Sequence, residues 1–162
     1  MKDKLSNGMQ DSDKVATSKV QLFRAGPLQF GVLEEHVAGV AQWREPTPLP
    51  HAPESVLGVV SIQGRMLTVL DLARLSGREM ANADEHHRQI ISLRGDEQLA
   101  LAASEVGESI DYSPSDSGAG INANDRFVCE VFTYSGADVR LVNVSELFSA
   151  ALHGRERRRR RF

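Results

Sequence analysis

Few side chains in this sequence are grouped in a way that could do chemistry. The adjacent histidines His86 and His87 follow Asp84-Glu85, but neighbouring side chains of an extended chain point apart, which is not the spacing of a metal site. The single cysteine, Cys129, lacks the nearby histidine and acid that would activate a thiol nucleophile. We interpret these residues as a solvated loop and a core position. The sequence therefore predicts no catalytic residue, no metal site and no cofactor.

Motifs of other enzyme classes are also missing from the sequence. No serine stands in a Gly-x-Ser-x-Gly context, and Gly118-Ala119-Gly120 is followed by no lysine that could bind a phosphate. No pair of titratable residues has a recognisable catalytic setting. An enzyme is therefore disfavoured, and a binding or interaction protein is the stronger hypothesis.

The charge distribution argues against a nucleic-acid-binding protein. The net charge is −3, but segment 155–162 alone carries +5, so the rest of the chain carries −8. A nucleic-acid-binding domain has a basic folded surface, and the aromatic residues available for base stacking make up only 6%. One cysteine excludes an intrachain disulfide, and no run of ~20 apolar residues is present, so we expect a cytoplasmic protein.

Short apolar runs separated by turn residues predict a mainly β fold. Closely spaced hairpins of this kind are typical of small barrels and sandwiches. We expect the strands before Leu75 and those after Arg88 to form two separate small barrels. The turns that define the hairpins lie at 26–27, 63–64, 94–97 and 135–138.

Three brief helices are expected between the strands. One helical turn is predicted at Glu34–Val37, a helix capped by Asp71 at Leu72–Leu75, and a last helix capped by Ser145 at Glu146–Leu152. Gly154 is expected to end the last helix.

The composition divides the chain into three parts. We predict a disordered leader over 1–19, one folded domain over 20–152 and a solvated basic tail over 153–162. Trp43 is expected either to pack against the proline run that follows it or to serve as an exposed interface anchor. The predicted core positions are Val59, Ile62, Leu67, Val69, Leu72, Ile91, Leu93, Leu101, Val131, Leu141 and Leu147.

One segment carries a specific pattern, residues 49–72, which read LPHAPESVLGVVSIQGRMLTVLDL. Pro53 can begin a helical turn, Gly58 allows close backbone approach, Gly64 supplies a positive φ in the turn, and Asp71 caps the next helix. The pattern resembles the signature of CheW-like domains. The ending 140–148, which reads RLVNVSELF, is similar to the last strand and closing helix of that family.

The resemblance implies a fold of two five-stranded SH3-like barrels that share a core. It also implies a scaffold of bacterial chemotaxis that catalyses no reaction. In that family one barrel binds the regulatory domain of a CheA-type histidine kinase, and the groove between the barrels takes the tip of a methyl-accepting chemoreceptor. Such a protein reaches the membrane only through receptors and binds no nucleic acid.

The resemblance places a receptor groove beside Val37, Gly39, Val40, Gly58 and Gln63. Two of these positions depart from the family, which usually has glutamate where Gly39 stands and arginine where Gln63 stands. We expect both to lie on neighbouring strands and to leave the rim of the groove neutral, with receptor binding that depends weakly on salt. The alternative is a divergent CheW-like interaction module with other partners in a pathway that does not serve motility.

Overall fold

The computed structural model describes residues 17–77, 87–113 and 126–159. These residues contain ten strands, one 3-10 turn and two α-helices. All four predicted hairpins are confirmed as antiparallel pairs. A 3-10 turn at Glu34–His36 precedes the third strand. The strands are β1 Ser18–Ala25, β2 Leu28–Leu33, β3 Val37–Gln42, β4 Val56–Ile62, β5 Arg65–Leu70, β6 Gln89–Leu93, β7 Leu99–Ala103, β8 Glu105–Tyr112, β9 Val128–Tyr134 and β10 Ala137–Val142.

The strands form two five-stranded sheets. The first sheet has the order β8-β1-β2-β10-β9 and the second has the order β3-β6-β7-β5-β4. The prediction that strands before Leu75 and after Arg88 form separate barrels is wrong, because each sheet takes strands from both groups. The parallel pairs β2–β10 and β5–β7 join the early hairpins to the late ones.

Each sheet curls until its two edge strands approach each other. In the second sheet, Thr47 and Val59 exchange two backbone hydrogen bonds of 2.9 Å, which link the segment after β3 to β4. In the first sheet, the rings of Tyr112 and Phe132 lie 4.7 Å apart, and the Tyr134 hydroxyl donates to Glu108 Oε1 at 2.8 Å. The predicted fold class is confirmed: mainly β, with two five-stranded units and few helices.

Apolar side chains form one shared core and two smaller ones. The shared core lies between the sheets and joins Phe23 and Phe30 of the first sheet to Ile91 and Leu101 of the second. Each sheet also has its own cluster, around Val139 in the first and around the group of Leu67, Val69 and Ile90 in the second. A core common to both sheets makes the two units one cooperative structure.

Eight of the eleven predicted core positions are buried, and three are not. Val59, Ile62 and Val131 are only partly buried. A register shift in β4 between Val56 and Gly58 turns Val60 inward and pairs Val59 with Thr68. A bulge of this kind interrupts the alternation on which the prediction relied. The confirmed positions are Leu67, Val69, Leu72, Ile91, Leu93, Leu101, Leu141 and Leu147.

The short helix α1, Leu72–Leu75, is confirmed with its cap. Asp71 Oδ1 accepts from the backbone N–H groups of Ala73 at 3.0 Å and Arg74 at 3.3 Å. Asp71 has no exposed surface, and Leu72 and Ala73 below it belong to the shared core. The cap therefore fixes the direction in which the chain leaves β5.

The last helix, α2, Val144–Arg159, differs from the prediction at both ends. It begins before Ser145, whose hydroxyl bonds to Asn143 Oδ1 at 2.7 Å instead of capping the helix. It continues past Gly154, because one glycine costs a helix only about 1 kcal/mol and the arginines that follow are good helix formers. Leu147 and Ala151 anchor α2 in the shared core.

Two of the earlier predictions lie partly outside the described residues. The described residues do not include residues 1–16 of the predicted leader or residues 160–162 of the predicted basic tail. Within the described part of the chain, no helix is long and apolar enough to cross a membrane.

Candidate partner-binding site

Gly58 lets the chain close the second sheet. Its φ is +143°, and a Cβ at this position would collide with the carbonyl oxygen of Thr47 and lie 2.6 Å from its carbonyl carbon. Thr47 can form its bridge to Val59 only because residue 58 has no side chain. Gly58 is therefore a structural requirement of the edge on which the groove was predicted.

A bulge in β3 places Val37 and Val40 on the same face. The register shifts between Val37 and Gly39, so that Val37 pairs with Leu93 and Val40 with Ile91. Leu93 and Ile91 are two residues apart and both belong to the shared core, so their partners share that side of the sheet. Val37 is partly buried there, whereas Val40 is 45% exposed.

Gly39 lies on the opposite face of β3. It pairs with Ser92, whose hydroxyl donates to the Gly39 carbonyl at 3.1 Å. A Cβ on Gly39 would meet only the Ser92 oxygen, at 3.6 Å, so a side chain fits at this position. A residue larger than glycine would project away from the face that carries Val40.

Gln63 occupies the tight turn between β4 and β5. Its φ is +51° and that of Gly64 is +77°, which is the conformation of a type I′ hairpin turn. Both residues are exposed. The hydrogen-bonded ladders place β3 and β4 at opposite ends of the second sheet, so the prediction that Gly39 and Gln63 lie on neighbouring strands is wrong.

The approach to β4 begins with a hydrogen-bonded turn. The Pro53 carbonyl accepts from the Val56 N–H at 2.9 Å, so Pro53 opens a turn instead of a helix. Ser55, inside this turn, is buried, and its carbonyl accepts from the Asp71 N–H at 2.8 Å. The turn therefore ties the entry of β4 to the end of β5.

Two arginines lie beside the predicted groove. Arg94 Nε donates to the Val37 carbonyl at 3.1 Å, and Arg44 Nη1 donates to the Ser61 carbonyl at 3.1 Å. Both hydrogen bonds are exposed, so both guanidinium groups are accessible to a partner. Arg94 shares the lining of the neighbouring cavity with Asp96 and Glu97, so this edge carries charges of both signs, and a neutral rim at the receptor contact stays a prediction.

A cavity of about 600 Å³ opens between the two sheets next to this edge. Leu33, Cys129 and Val142 line it from the first sheet, and Leu93, Arg94 and Leu99 line it from the second. Burial raises the pKa of the Cys129 thiol, whose Sγ donates to the Leu141 carbonyl at 3.4 Å. A protonated, half-buried thiol is consistent with the packing role predicted for this residue.

The family model for the CheW-like domain matches residues 19–152. The chain belongs to the CheW family. It is 30% identical to "Chemotaxis protein CheW" of Rhizobium meliloti (strain 1021) over 94 residues, which cover 58% of this chain and 61% of the relative. It is 33% identical to "Probable chemotaxis protein CheW" of Rhizobium etli (strain ATCC 51251 / DSM 11541 / JCM 21823 / NBRC 15573 / CFN 42) over 70 residues, which cover 43% of this chain and 45% of the relative. The matches thus span about half to three-fifths of these curated relatives.

The CheW fold is also found in a solved structure. The scaffolding protein TtCheW from Thermoanaerobacter tengcongensis matches with a TM-score of 0.70 at 20% identity, over 82% of this chain and 88% of the other. At this identity the likeness concerns the fold. It agrees with the family match in giving this chain the fold of the CheW-like domain.

This CheW chain also has a buried polar cluster that sequence reasoning missed. His87 Nε2 lies 3.3 Å from Asp71 Oδ2, and the His87 side chain is only 11% exposed. The separation fits an ion pair, although the N–H direction departs from that of a well-aligned hydrogen bond. The expectation that His87 belongs to a solvated loop is wrong, and its neighbour His86 lies outside the described residues.

Trp43 completes this cluster. Its ring lies 4.9 Å from the His87 ring at an interplanar angle of 32°, and it packs on the second sheet's own core. Neither role predicted for Trp43 included this histidine. The contact joins residues 44 positions apart, and no local pattern in the sequence signals it.

Opposing effects act on the pKa of Asp71. Burial raises it, but the neighbouring His87 imidazole, the backbone N–H of Arg74 and the charge of Arg74 lower it below its ordinary value. Arg74 Nε lies 3.6 Å from Asp71 Oδ2, on the same carboxylate oxygen as His87. The buried carboxylate is therefore ionised in the folded protein.

Proposed function

We propose that this protein is a cytoplasmic CheW-type adaptor that couples chemoreceptors to a CheA-type histidine kinase. The observation that carries the proposal is the family match over residues 19–152, which covers both sheets and the shared core. Adaptors of this kind work by presenting two surfaces at once. The proposal assigns the kinase regulatory domain and the methyl-accepting receptor tip to different faces of the molecule.

The receptor surface is assigned to the edge of the second sheet that carries Val37 and Val40. A helical receptor tip presents apolar ridges, which a groove can bury without directional bonds. Val40 supplies exposed apolar area, and the neighbouring cavity between the sheets extends the concave surface. Arg44 and Arg94 place positive charge at the rim beside the acidic Asp96 and Glu97, so we expect charge complementarity with the receptor tip to contribute to binding.

The kinase surface is assigned to the hairpins of the strands nearest the N-terminus, in particular β4–β5, because β4 is an edge of the second sheet whereas β1 and β2 are each paired on both sides. An edge strand has unpaired backbone groups that can pair with another sheet, and the kinase regulatory domain of this family has a similar fold. The calorimetric test is titration of the full chain with the regulatory domain of its cognate kinase. Absence of heat at high micromolar concentration would remove the kinase from the proposal.

Val40→Asp tests the receptor surface. It places a charge in the apolar face, so we expect binding to a receptor-tip peptide to weaken at least tenfold, while kinase binding stays within twofold. Leu152→Asp is the matched control, since Leu152 is 51% exposed against 45% for Val40 but lies on α2. Equal weakening by both substitutions would show that the edge of β3 is not the receptor site.

The pair of departures from the family tests whether the opposite face of β3 and the β4–β5 turn also contact the receptor. Gly39→Glu with Gln63→Arg restores the usual residues, and both positions accept a side chain without a backbone clash. We expect the double variant to bind a receptor suited to the charged pair more tightly and the cognate receptor no better. If neither affinity changes, Gly39 and Gln63 are not part of the site. In that case the alternative module with other partners becomes the better hypothesis.

A further inference from the structure

The long connection between β3 and β4 is held at its two ends by groups that the His87 side chain joins. It runs from Trp43 to Ser55 and contains the exposed Leu49 and the bridging Thr47. At its start, the Trp43 ring packs against the His87 ring at a tilt of 32°, and the Trp43 backbone N–H donates to the Arg88 carbonyl at 3.0 Å. His87 and its neighbour thus hold Trp43 through both its ring and its backbone.

The end of the connection is held through Asp71. The Asp71 N–H donates to the Ser55 carbonyl at 2.8 Å, and the Asp71 carboxylate lies 3.3 Å from His87 Nε2. Because Asp71 is fully buried and caps α1 with its other oxygen, it cannot move without breaking the cap. His87 therefore links the first residue of the connection to a rigid group that holds its last.

We infer that His87 is a positioning residue that clamps the segment 43–55 and so sets the closure of the second sheet at the Thr47–Val59 bridge. The clamp itself is a property of the free protein. Its consequence for receptor binding rests on the proposed function, because the segment follows β3, whose edge is assigned to the receptor. The clamp predicts that loss of His87 opens this edge locally and leaves the first sheet intact.

Backbone hydrogen exchange of the full chain tests the clamp without any partner. The amides of Thr47 and Val59 donate across the bridge, and the paired amides of β1 and β2 serve as the internal reference. We expect His87→Ala to lower the protection of the two bridge amides about tenfold relative to the reference, as loss of one charge-assisted contact would. His36→Ala is the matched control, since His36 contacts only the exposed Glu35 among its acidic neighbours.

His87→Gln keeps a donor of similar reach for Asp71 and removes the ring. We expect it to retain more bridge protection than His87→Ala, and both variants to shift the emission of Trp43, which is the single tryptophan of the chain. This variant also decides the matter if His87→Ala does not fold. Unchanged bridge protection in the variants would overturn the clamp, and so would an equal loss in both sheets, which would mean only general destabilisation.

A receptor titration of the same variants separates the clamp in the free protein from its effect on receptor binding. We expect His87→Ala to bind the receptor tip at least threefold more weakly than the wild-type chain does. If the wild-type chain binds no receptor, the proposed function fails while the exchange result still decides the clamp. If the bridge opens and receptor affinity is unchanged, the clamp does not position the receptor edge, and that part of the inference is overturned.

Discussion

Replacement of Gly58 by alanine tests how the second sheet is closed. The new Cβ would collide with the Thr47 carbonyl oxygen and lie 3.0 Å from the Pro46 Cβ. The atoms that must yield belong largely to the backbone, so a change of side-chain rotamer cannot relieve the clash. The segment around Thr47 must therefore move away from β4, and the bridge to Val59 must break.

The expected cost of Gly58→Ala has two parts. The bridge contains two hydrogen bonds of 2.9 Å, and each contributes about 0.5–1.5 kcal/mol net. A side chain at a φ of +143° adds strain on the order of 1–3 kcal/mol. Together these predict a loss of roughly 2–6 kcal/mol in the free energy of unfolding.

Gly95→Ala is the control that separates strain from collision. Gly95 has a φ of +124°, but nothing lies within 4 Å of the position that its Cβ would occupy. It should therefore lose only the strain part, about 1–3 kcal/mol. The assay is urea denaturation. The two variants are compared by their midpoints, provided that the free energy of unfolding depends equally steeply on urea concentration in both. If both variants lose the same stability, the close approach of Thr47 does not hold the second sheet closed, and the reasoning fails.

Three further predictions follow from the described packing and charges. Leu67→Ala should lower the free energy of unfolding by about 2–5 kcal/mol, whereas Val59→Ala, on the outer face of β4, should lower it by less than half as much. Similar denaturation midpoints for the two variants would contradict the core assignment. Asp71→Asn should destabilise the protein most near neutral pH: the folded pKa of Asp71 is lowered, so its contribution is present above the ordinary aspartate range and is lost as pH falls through the folded pKa. A gap between the two stability curves that stays constant down to acid pH would exclude this. Receptor binding should weaken as salt rises, because Arg44 and Arg94 are exposed and the screening length falls from about 10 Å at 0.1 M to about 3 Å at 1 M. A binding titration that gives an affinity independent of salt would instead support a neutral rim.

The sequence was sufficient where local chemistry determines the structure. Asp71 caps α1 because an aspartate before a short apolar run satisfies its first N–H groups, and this holds whatever the rest of the chain does. The turn at Gln63-Gly64 follows equally from local backbone preference. The hairpins, α1 and the mainly β class were therefore accessible from the sequence.

The sequence was insufficient where the outcome depends on contacts between distant residues. The inward position of Val60 depends on a bulge that Gly58 makes possible, and that bulge depends in turn on Thr47. The burial of His87 depends on Asp71 and Trp43, which lie on other elements. For the candidate site, the resemblance proposed the residues, but only the fold shows that a bulge brings Val37 and Val40 to the same face of β3.

The interleaved strand order has a consequence for how the chain acquires its structure during synthesis. All strands of the second sheet have been made once Ala103 has left the ribosome, whereas the first sheet lacks β9 and β10 until Val142 appears. Until then, β2 lacks its parallel neighbour β10, and the shared core lacks the residues that come later in the chain: Phe127, Val128, Val142, Leu147 and Ala151. Such non-local pairing slows folding and leaves aggregation-prone surface in the nascent chain. Neither half of the polypeptide can mature alone, so a ribosome that stalls midway releases a product without a complete first sheet.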